Sequence, residues 1–145
     1  MGIVNLDDIL VTPLKRISTV GGDVMHALKD SDPGFNAFGE IYFSWINHGA
    51  VKAWKCHQSM TLNLVVPLGE VIFVFHMANE KNSFRTENIG EDRYVRLTVP
   101  PGIWFGFQGK ASGSSLLVNV SDEKHDSDEV ERKSVNEFVY EWGGE

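Results

Sequence analysis

Lys55 and His57 are the residues of this chain best placed to move protons. They lie two apart in VKAWKCH, a run of strand type, so they share one face of the strand. Facing an apolar interior, a lysine loses affinity for its proton and a histidine titrates readily. Together they would supply a proton carrier and a cation able to hold a developing oxygen anion, which suits proton abstraction beside a carbonyl group. Strand alternation sets Lys52, Trp54 and Cys56 on the opposite face. Lys52 is a second cation, Asn63 lies on the facing strand beside Val65, and Tyr42 and Trp104 offer flat faces to a sugar or a base. Cys56 has basic neighbours that would favour a thiolate, yet it points away from both, as a packed small residue does. His26, His48 and His125 read as surface or hydrogen-bonded histidines. His76 ends an apolar strand and is placed to face inward with Ile72 and Val74, so a metal held by His57, His76 and carboxylates is a third, competing possibility. No phosphate loop and no serine elbow is present.

The elements that position these residues are short runs rich in Val, Ile, Phe and Tyr: 39–47, 51–57, 61–67, 70–77, 93–99, 103–108 and 115–120. Gly, Pro and Asn punctuate them, the pattern of an all-β sandwich or barrel. Residues 79–92 are polar and read as a long hairpin loop with a little strand at 84–86. The charge run DEKHDSDEVERK (122–133) reads as a solvated turn ending in a short helix. The apolar tail SVNEFVYEW is expected to pack back on the barrel or on a second subunit.

With 145 residues, 42% of them apolar, the chain fits one domain, 1–145, with a barrel core at about 37–121 and a C-terminal packing segment at 122–145. A net charge of −7 with scattered basic residues argues against nucleic acid. No apolar run is long enough for a bilayer span, so no membrane partner is expected. The first residues do not read as a signal peptide, and Leu6 occupies the position where myristoylation after Gly2 wants Ser or Thr, so a cytoplasmic location is expected. The single cysteine excludes an internal disulfide and a cysteine-based zinc cluster.

From Gly49 to Gly69 the spacing fits the first cupin motif, G-x5-H-x-H-x4-E-x6-G, with Lys55 for the first histidine and Leu62 for the glutamate. PPGIWFGF fits part of the second motif, with Phe105 where its last histidine belongs. The expected fold is therefore an all-β cupin double-stranded jelly-roll barrel that holds no metal and needs no cofactor. From Phe38 to Trp142 the chain resembles the dTDP-4-dehydrorhamnose 3,5-epimerase family, through FGEIYFSWINHGAVKAWKCH, TLNLVVPLGEVIFVFH, VRLTVPPGIWFGF and VYEW. That resemblance implies a homodimer whose partner molecule is a nucleotide-linked 4-keto-sugar, with a proton removed beside the keto group and returned on the other face. Carried over residue by residue, the family's base histidine falls on Lys55 and its acid tyrosine on Val118. Its base-orienting aspartate belongs to a tail segment without a counterpart here. Its D-x-R-G segment finds only Asp23-Val24-Met25, without the arginine. Lys52 matches the basic residue before the base, and Asn63 lies near the oxyanion lysine. The related sugar-nucleotide 3,4-ketoisomerases carry R-G-G-H-x-H here, and their second histidine falls on His57. The expected function is epimerisation or isomerisation, with His57 as proton carrier and Lys55 or Lys52 stabilising the enolate oxygen. The rival is a non-catalytic cupin that binds a carbohydrate or nucleotide-sugar.

Overall fold

A computed structural model describes residues 3–80 and 83–143. Gly2 therefore lies outside the described residues, as do Lys81 and Asn82 of the 79–92 segment. Among the described residues, a 3-10 turn at Leu6–Asp8 leads into twelve strands: β1 (Leu10–Pro13), β2 (Arg16–Ile17), β3 (Val24–Met25), β4 (Glu40–Ile46), β5 (Val51–His57), β6 (Leu62–Leu68), β7 (Glu70–His76), β8 (Phe84–Gly90), β9 (Val95–Val99), β10 (Trp104–Gly109), β11 (Ser115–Ser121) and β12 (Val130–Arg132). Two five-stranded antiparallel sheets, β1-β9-β6-β11-β4 and β12-β5-β10-β7-β8, face each other as a jelly roll, and β2 and β3 form a small hairpin.

The inner faces carry the main core. Leu62, Leu64, Val66, Leu97, Val99 and Leu117 of the first sheet meet Phe73, Phe75, Phe105, Phe107 and Ile89 of the second. Burying side chains of this size contributes about 1.5–3 kcal/mol each. A second, smaller cluster lies on the outer face of the second sheet. Trp54, Cys56, Val74 and Trp104 are buried there under Phe138, Tyr140 and Trp142 of the C-terminal tail. The tail thus packs against this chain's own barrel. Gly69 turns the tight β6–β7 connection with a φ of +88°, and a Cβ there would come within 2.3 Å of Ser115 Oγ.

Three segments differ from the sequence expectation. Residues 84–90 form a full seven-residue strand paired with β7 along its length, because backbone pairing outweighs the polarity of FRTENIG. Residues 130–132 form a strand, not a helix. They pair with the free edge of β5, which satisfies backbone groups that an isolated turn of helix would leave to water. The barrel also reaches beyond residues 37–121, since β1 and β12 each form one edge of a five-stranded sheet.

Candidate active site

β5 is the strand that builds the site, and its register departs from simple alternation. Phe105 of β10 is paired with Lys55, Gly106 with Ala53 and Phe107 with Lys52, so one residue of β5, Trp54, is left over as a bulge. Phe105 and Phe107 both face the core, so their partners Lys55 and Lys52 face the interior too. The expected separation of Lys52 from Lys55 is thereby corrected: the bulge resets the alternation between them. Trp54 turns outward into the second aromatic cluster.

His57 is buried, and its ring stacks on Phe105 with centroids 6.2 Å apart. Its Nδ1 lies 2.6 Å from Oε1 of Glu129. Glu129 Oε2 accepts the backbone N–H groups of Ser59 at 3.0 Å and Met60 at 2.8 Å. Burial pulls the Glu129 carboxyl upward, but the hydrogen bonds from His57, Ser59 and Met60 win and hold it below the usual carboxylate range. Burial pulls His57 below the ordinary histidine value, aided by Lys55 and Arg132 and opposed by Glu129. Both directions describe one state: an ionised Glu129 accepting the Nδ1–H of a neutral imidazole. Nε2 is then the basic nitrogen, and it is buried without a hydrogen-bond partner among the described residues. An oriented imidazole with a free basic nitrogen is the arrangement a general base requires.

Lys55 lines the same space, its Nζ 5.6 Å from the centre of the Phe105 ring. Burial lowers its proton affinity, and repulsion from Arg132 and Lys52 adds to that. Arg132 sits opposite Lys55 in the β12–β5 register. Across the cavity, Tyr42 of β4 and Asn119 of β11 are register partners, and Asn119 Nδ2 donates to the Tyr42 hydroxyl at 3.0 Å. Burial and Glu40 raise the Tyr42 phenol above its ordinary value. A cavity of about 390 Å³ holds Lys52, Lys55, Tyr42, Asn119, Arg132 and Lys133 among its lining. A second, of about 310 Å³, is lined by His57, Glu40, Ser121 and His125 and shares Tyr42, Lys55 and Arg132 with the first.

His57, Lys55, Lys52 and Tyr42 thus come together, and two expected members do not join them. Asn63 faces away from the interior, where its Oδ1 accepts from Arg96 Nε at 3.0 Å and from Thr98 Oγ1, and its Nδ2 donates to Gly34 O. The interior positions of β6 belong to Leu62, Leu64 and Val66. Trp104 lies on the outer face under Phe138, because Phe105 takes the inward position of β10. His76 shares that outer face, with Nδ1 2.8 Å from Ser83 O and its ring against Phe84 and Phe138. It is therefore on the other side of the sheet from the His57 cavity. Among the described residues no three or more His, Cys, Asp or Glu groups converge in a metal-ligating arrangement. Burial pushes the Cys56 thiol up to about 11, which leaves it protonated and unreactive at neutral pH. Glu129, Arg132, Lys133 and Asn119 were not legible as site residues. The first three sit in a charge run, and only the pairing of β12 with β5 brings them to the cavity.

A structure of a dTDP-sugar isomerase from Desulfovibrio desulfuricans G20 is 33% identical to this chain, with a TM-score of 0.89 over 96% of this chain and 93% of that one. A dTDP-4-dehydrorhamnose 3,5-epimerase from Bacillus anthracis, with TDP and pyrophosphate bound, superposes with a TM-score of 0.80 at 17% identity, covering 97% of this chain and 87% of its own. The sugar 3,4-ketoisomerase QdtA from Thermoanaerobacterium thermosaccharolyticum, in complex with TDP, gives 0.74 at 17% identity over 89% and 90%. The two likenesses at 17% identity show the shared fold. No family model and no curated protein matches the sequence. No described helix is long and apolar enough to cross a membrane.

Proposed function

The chain belongs to the dTDP-sugar isomerase family of cupins, and we propose that it moves a proton beside the keto group of a nucleotide-linked 4-keto-sugar, as an epimerase or isomerase. The observation that carries this proposal is the His57–Glu129 pair, whose imidazole keeps an unpartnered, buried Nε2 and belongs to a residue lining a cavity shared with Lys55. In the mechanism, His57 Nε2 removes a proton from the carbon next to the keto group. Negative charge then collects on the keto oxygen, and Lys55 stabilises it. Return of that proton by His57 to the former keto carbon, with the hydroxyl proton of the deprotonated carbon passing to the keto oxygen, gives the 3-keto isomer. Epimerisation instead takes its returning proton from a donor on the opposite face of the ring, since return by His57 to the same carbon restores the starting sugar. Glu129 is the positioning residue: it fixes the imidazole tautomer and offsets the imidazolium charge that forms transiently. Tyr42, held by Asn119, and Lys52 make substrate contacts.

We further propose a single cytoplasmic cupin domain spanning 1–145 that works as a homodimer. Support for the dimer comes from β4, an outermost strand whose outer face leaves Ile41, Phe43 and Trp45 49%, 65% and 58% exposed in one stripe. A monomer has no use for such a stripe at a sheet edge, whereas a second copy would cover it.

The direct test is incubation with TDP-4-keto-6-deoxyglucose followed by NMR. An epimer at C3 or C5, or the 3-keto isomer, is expected. Binding of the sugar nucleotide without conversion would favour the other reading, a carbohydrate-binding cupin without chemistry.

A further inference from the structure

The bulge in β5 has a counterpart on β10. Were pairing regular from Phe105 and Lys55 onward, Gly106 would stand opposite Trp54, Phe107 opposite Ala53 and Gln108 opposite Lys52. Strand alternation would then turn Ala53 into the interior and Lys52 out of it. The observed register places Gly106 opposite Ala53 and Phe107 opposite Lys52 instead. Ala53 and Trp54, consecutive in sequence, both pack into the outer aromatic cluster, as the two residues of a bulge do.

This packing leaves no room for a side chain at the facing position of β10. Phe105 and Phe107 point inward, so residue 106 faces outward, toward Ala53. A Cβ at Gly106 would come within 2.5 Å of Ala53 Cβ, 3.1 Å of Ala53 Cα and 3.2 Å of Lys52 O. The φ of Gly106 lies outside the left-handed region, so what glycine supplies here is room. On the other edge of β5, Trp54 N–H donates to Lys133 O at 2.9 Å and Lys133 N–H donates to Trp54 O at 3.0 Å. The residue that β10 skips is thus paired by the C-terminal segment. The arrangement gives the two lysines no mutual stability, since Lys52 repels Lys55 and lowers its proton affinity.

We propose that Gly106 is a positioning residue of the site: by leaving space for Ala53 on the outer face it permits the bulge, and the bulge sets Lys52 on the same wall as Lys55. A regular strand would present one of these cations to the cleft; this one presents both. Gly106 lines neither cavity, so it acts through the register alone. The catalytic use of that wall rests on the function proposed above; the register does not. Of the groups around Lys55, Lys52 and Arg132 of β12 lower its proton affinity and Glu129 raises it. His57 and Tyr42 of β4 line the same space, and β10 contributes the Phe105 ring.

The test is an NMR titration of the full chain carrying isotope-labelled lysine, with the Lys55 signal identified by its loss in Lys55→Met. In the otherwise wild-type chain, Lys52→Met is expected to move the Lys55 titration up, because it removes a like charge. In Gly106→Ala that titration is expected to lie higher already, and adding Lys52→Met should move it no further. Ala53→Gly in the Gly106→Ala chain removes the nearest clash and is expected to restore the effect of Lys52→Met. A role in stability alone would leave that effect unchanged in every folded variant. Survival of the effect in folded Gly106→Ala, or no restoration by Ala53→Gly, would overturn the proposal. If Gly106→Ala does not fold, the double variant decides: folding regained supports the proposal, and folding not regained overturns it. In the wild type a nuclear Overhauser contact between the Ala53 methyl and Gly106 Hα is expected, and its absence would equally overturn the proposal. On the function proposed above, the alkaline limb of the rate profile moves up in Gly106→Ala and returns in the double variant. A wild type that converts no keto-sugar removes that function and leaves the NMR cycle to decide the role of Gly106.

Discussion

Glu129 Oε1 and His57 Nδ1 lie 2.6 Å apart across 72 residues of sequence, and the contact joins the C-terminal segment to the central strand of the cleft. Its effect is to leave one imidazole nitrogen neutral, oriented and free.

Glu129→Gln separates the two contributions of this contact. A glutamine can still accept the Nδ1–H, but it carries no charge to stabilise imidazolium. Turnover is expected to fall about 10- to 100-fold, at or below the lower end of the range of about 100- to 10,000-fold for the acid–base group itself, because Glu129 acts only through His57. Glu129 raises the His57 proton affinity against the burial that lowers it, so its removal shifts the acid limb of the rate profile to lower pH. A reduced rate with an unmoved acid limb would assign Glu129 a purely structural role.

The pH profile of the wild type follows from two lowered groups. His57 must be neutral to act as base, and its value lies below the ordinary 6.5, so the rate rises through a pH below that. Lys55 must carry its proton to stabilise the oxygen, and its value lies below 10.5, so the rate falls before that pH is reached. Arg132→Gln removes a positive neighbour of Lys55, so the alkaline limb is expected to move up. The same His57 shift gives a stability term. The folded chain binds fewer protons than the unfolded one just below pH 6.5, so stability from this group is lost as pH falls through that window. Thermal melts from pH 7 to 5 check the sign.

Lys55→Met keeps the length and apolar stem of the side chain but removes its charge. The rate is expected to fall about 100- to 1,000-fold, as when one oxyanion donor is lost. Steady-state assays should place that loss in kcat.

Asn63 is assigned to stability, not to substrate. Asn63→Ala leaves Arg96, which is fully buried, and Thr98 without their shared acceptor, at a cost of about 1–3 kcal/mol. Urea melts should show the loss, and KM should stay near the wild-type value. A raised KM with unchanged stability would return Asn63 to the site.

Phe43→Glu with Trp45→Glu places charges on the outer stripe of β4, and sedimentation is expected to find a dimer for the wild type and a monomer for the double variant. A wild type that sediments as a monomer would remove the dimer from the account.

The barrel was legible because its strands alternate and its turns carry Gly and Pro, and because the Gly49–Gly69 spacing survives the loss of its metal ligands. Seven expected strands appear within two residues of their places at either end. Lys55 and His57 were legible for the same reason, since two residues on one strand share a face. Lys52 was misplaced because a bulge at Trp54 has no signature in composition. Asn63 and Trp104 were misplaced because parity within a strand does not say which face is inner. Glu129 and Arg132 were hidden in a run that looks solvated, and only pairing with an unsatisfied edge of β5 turns it into part of the cleft.

The central claim is that His57 moves a proton next to a keto group. Wild-type chain and His57→Asn, each with confirmed fold and confirmed TDP binding, are incubated with TDP-4-keto-6-deoxyglucose in deuterated water and followed by NMR. Asparagine keeps a similar size and some hydrogen bonding but cannot titrate. Deuterium is expected at a carbon beside the keto group with the wild type and at no more than the uncatalysed rate with His57→Asn. Equal exchange by both chains would contradict the account.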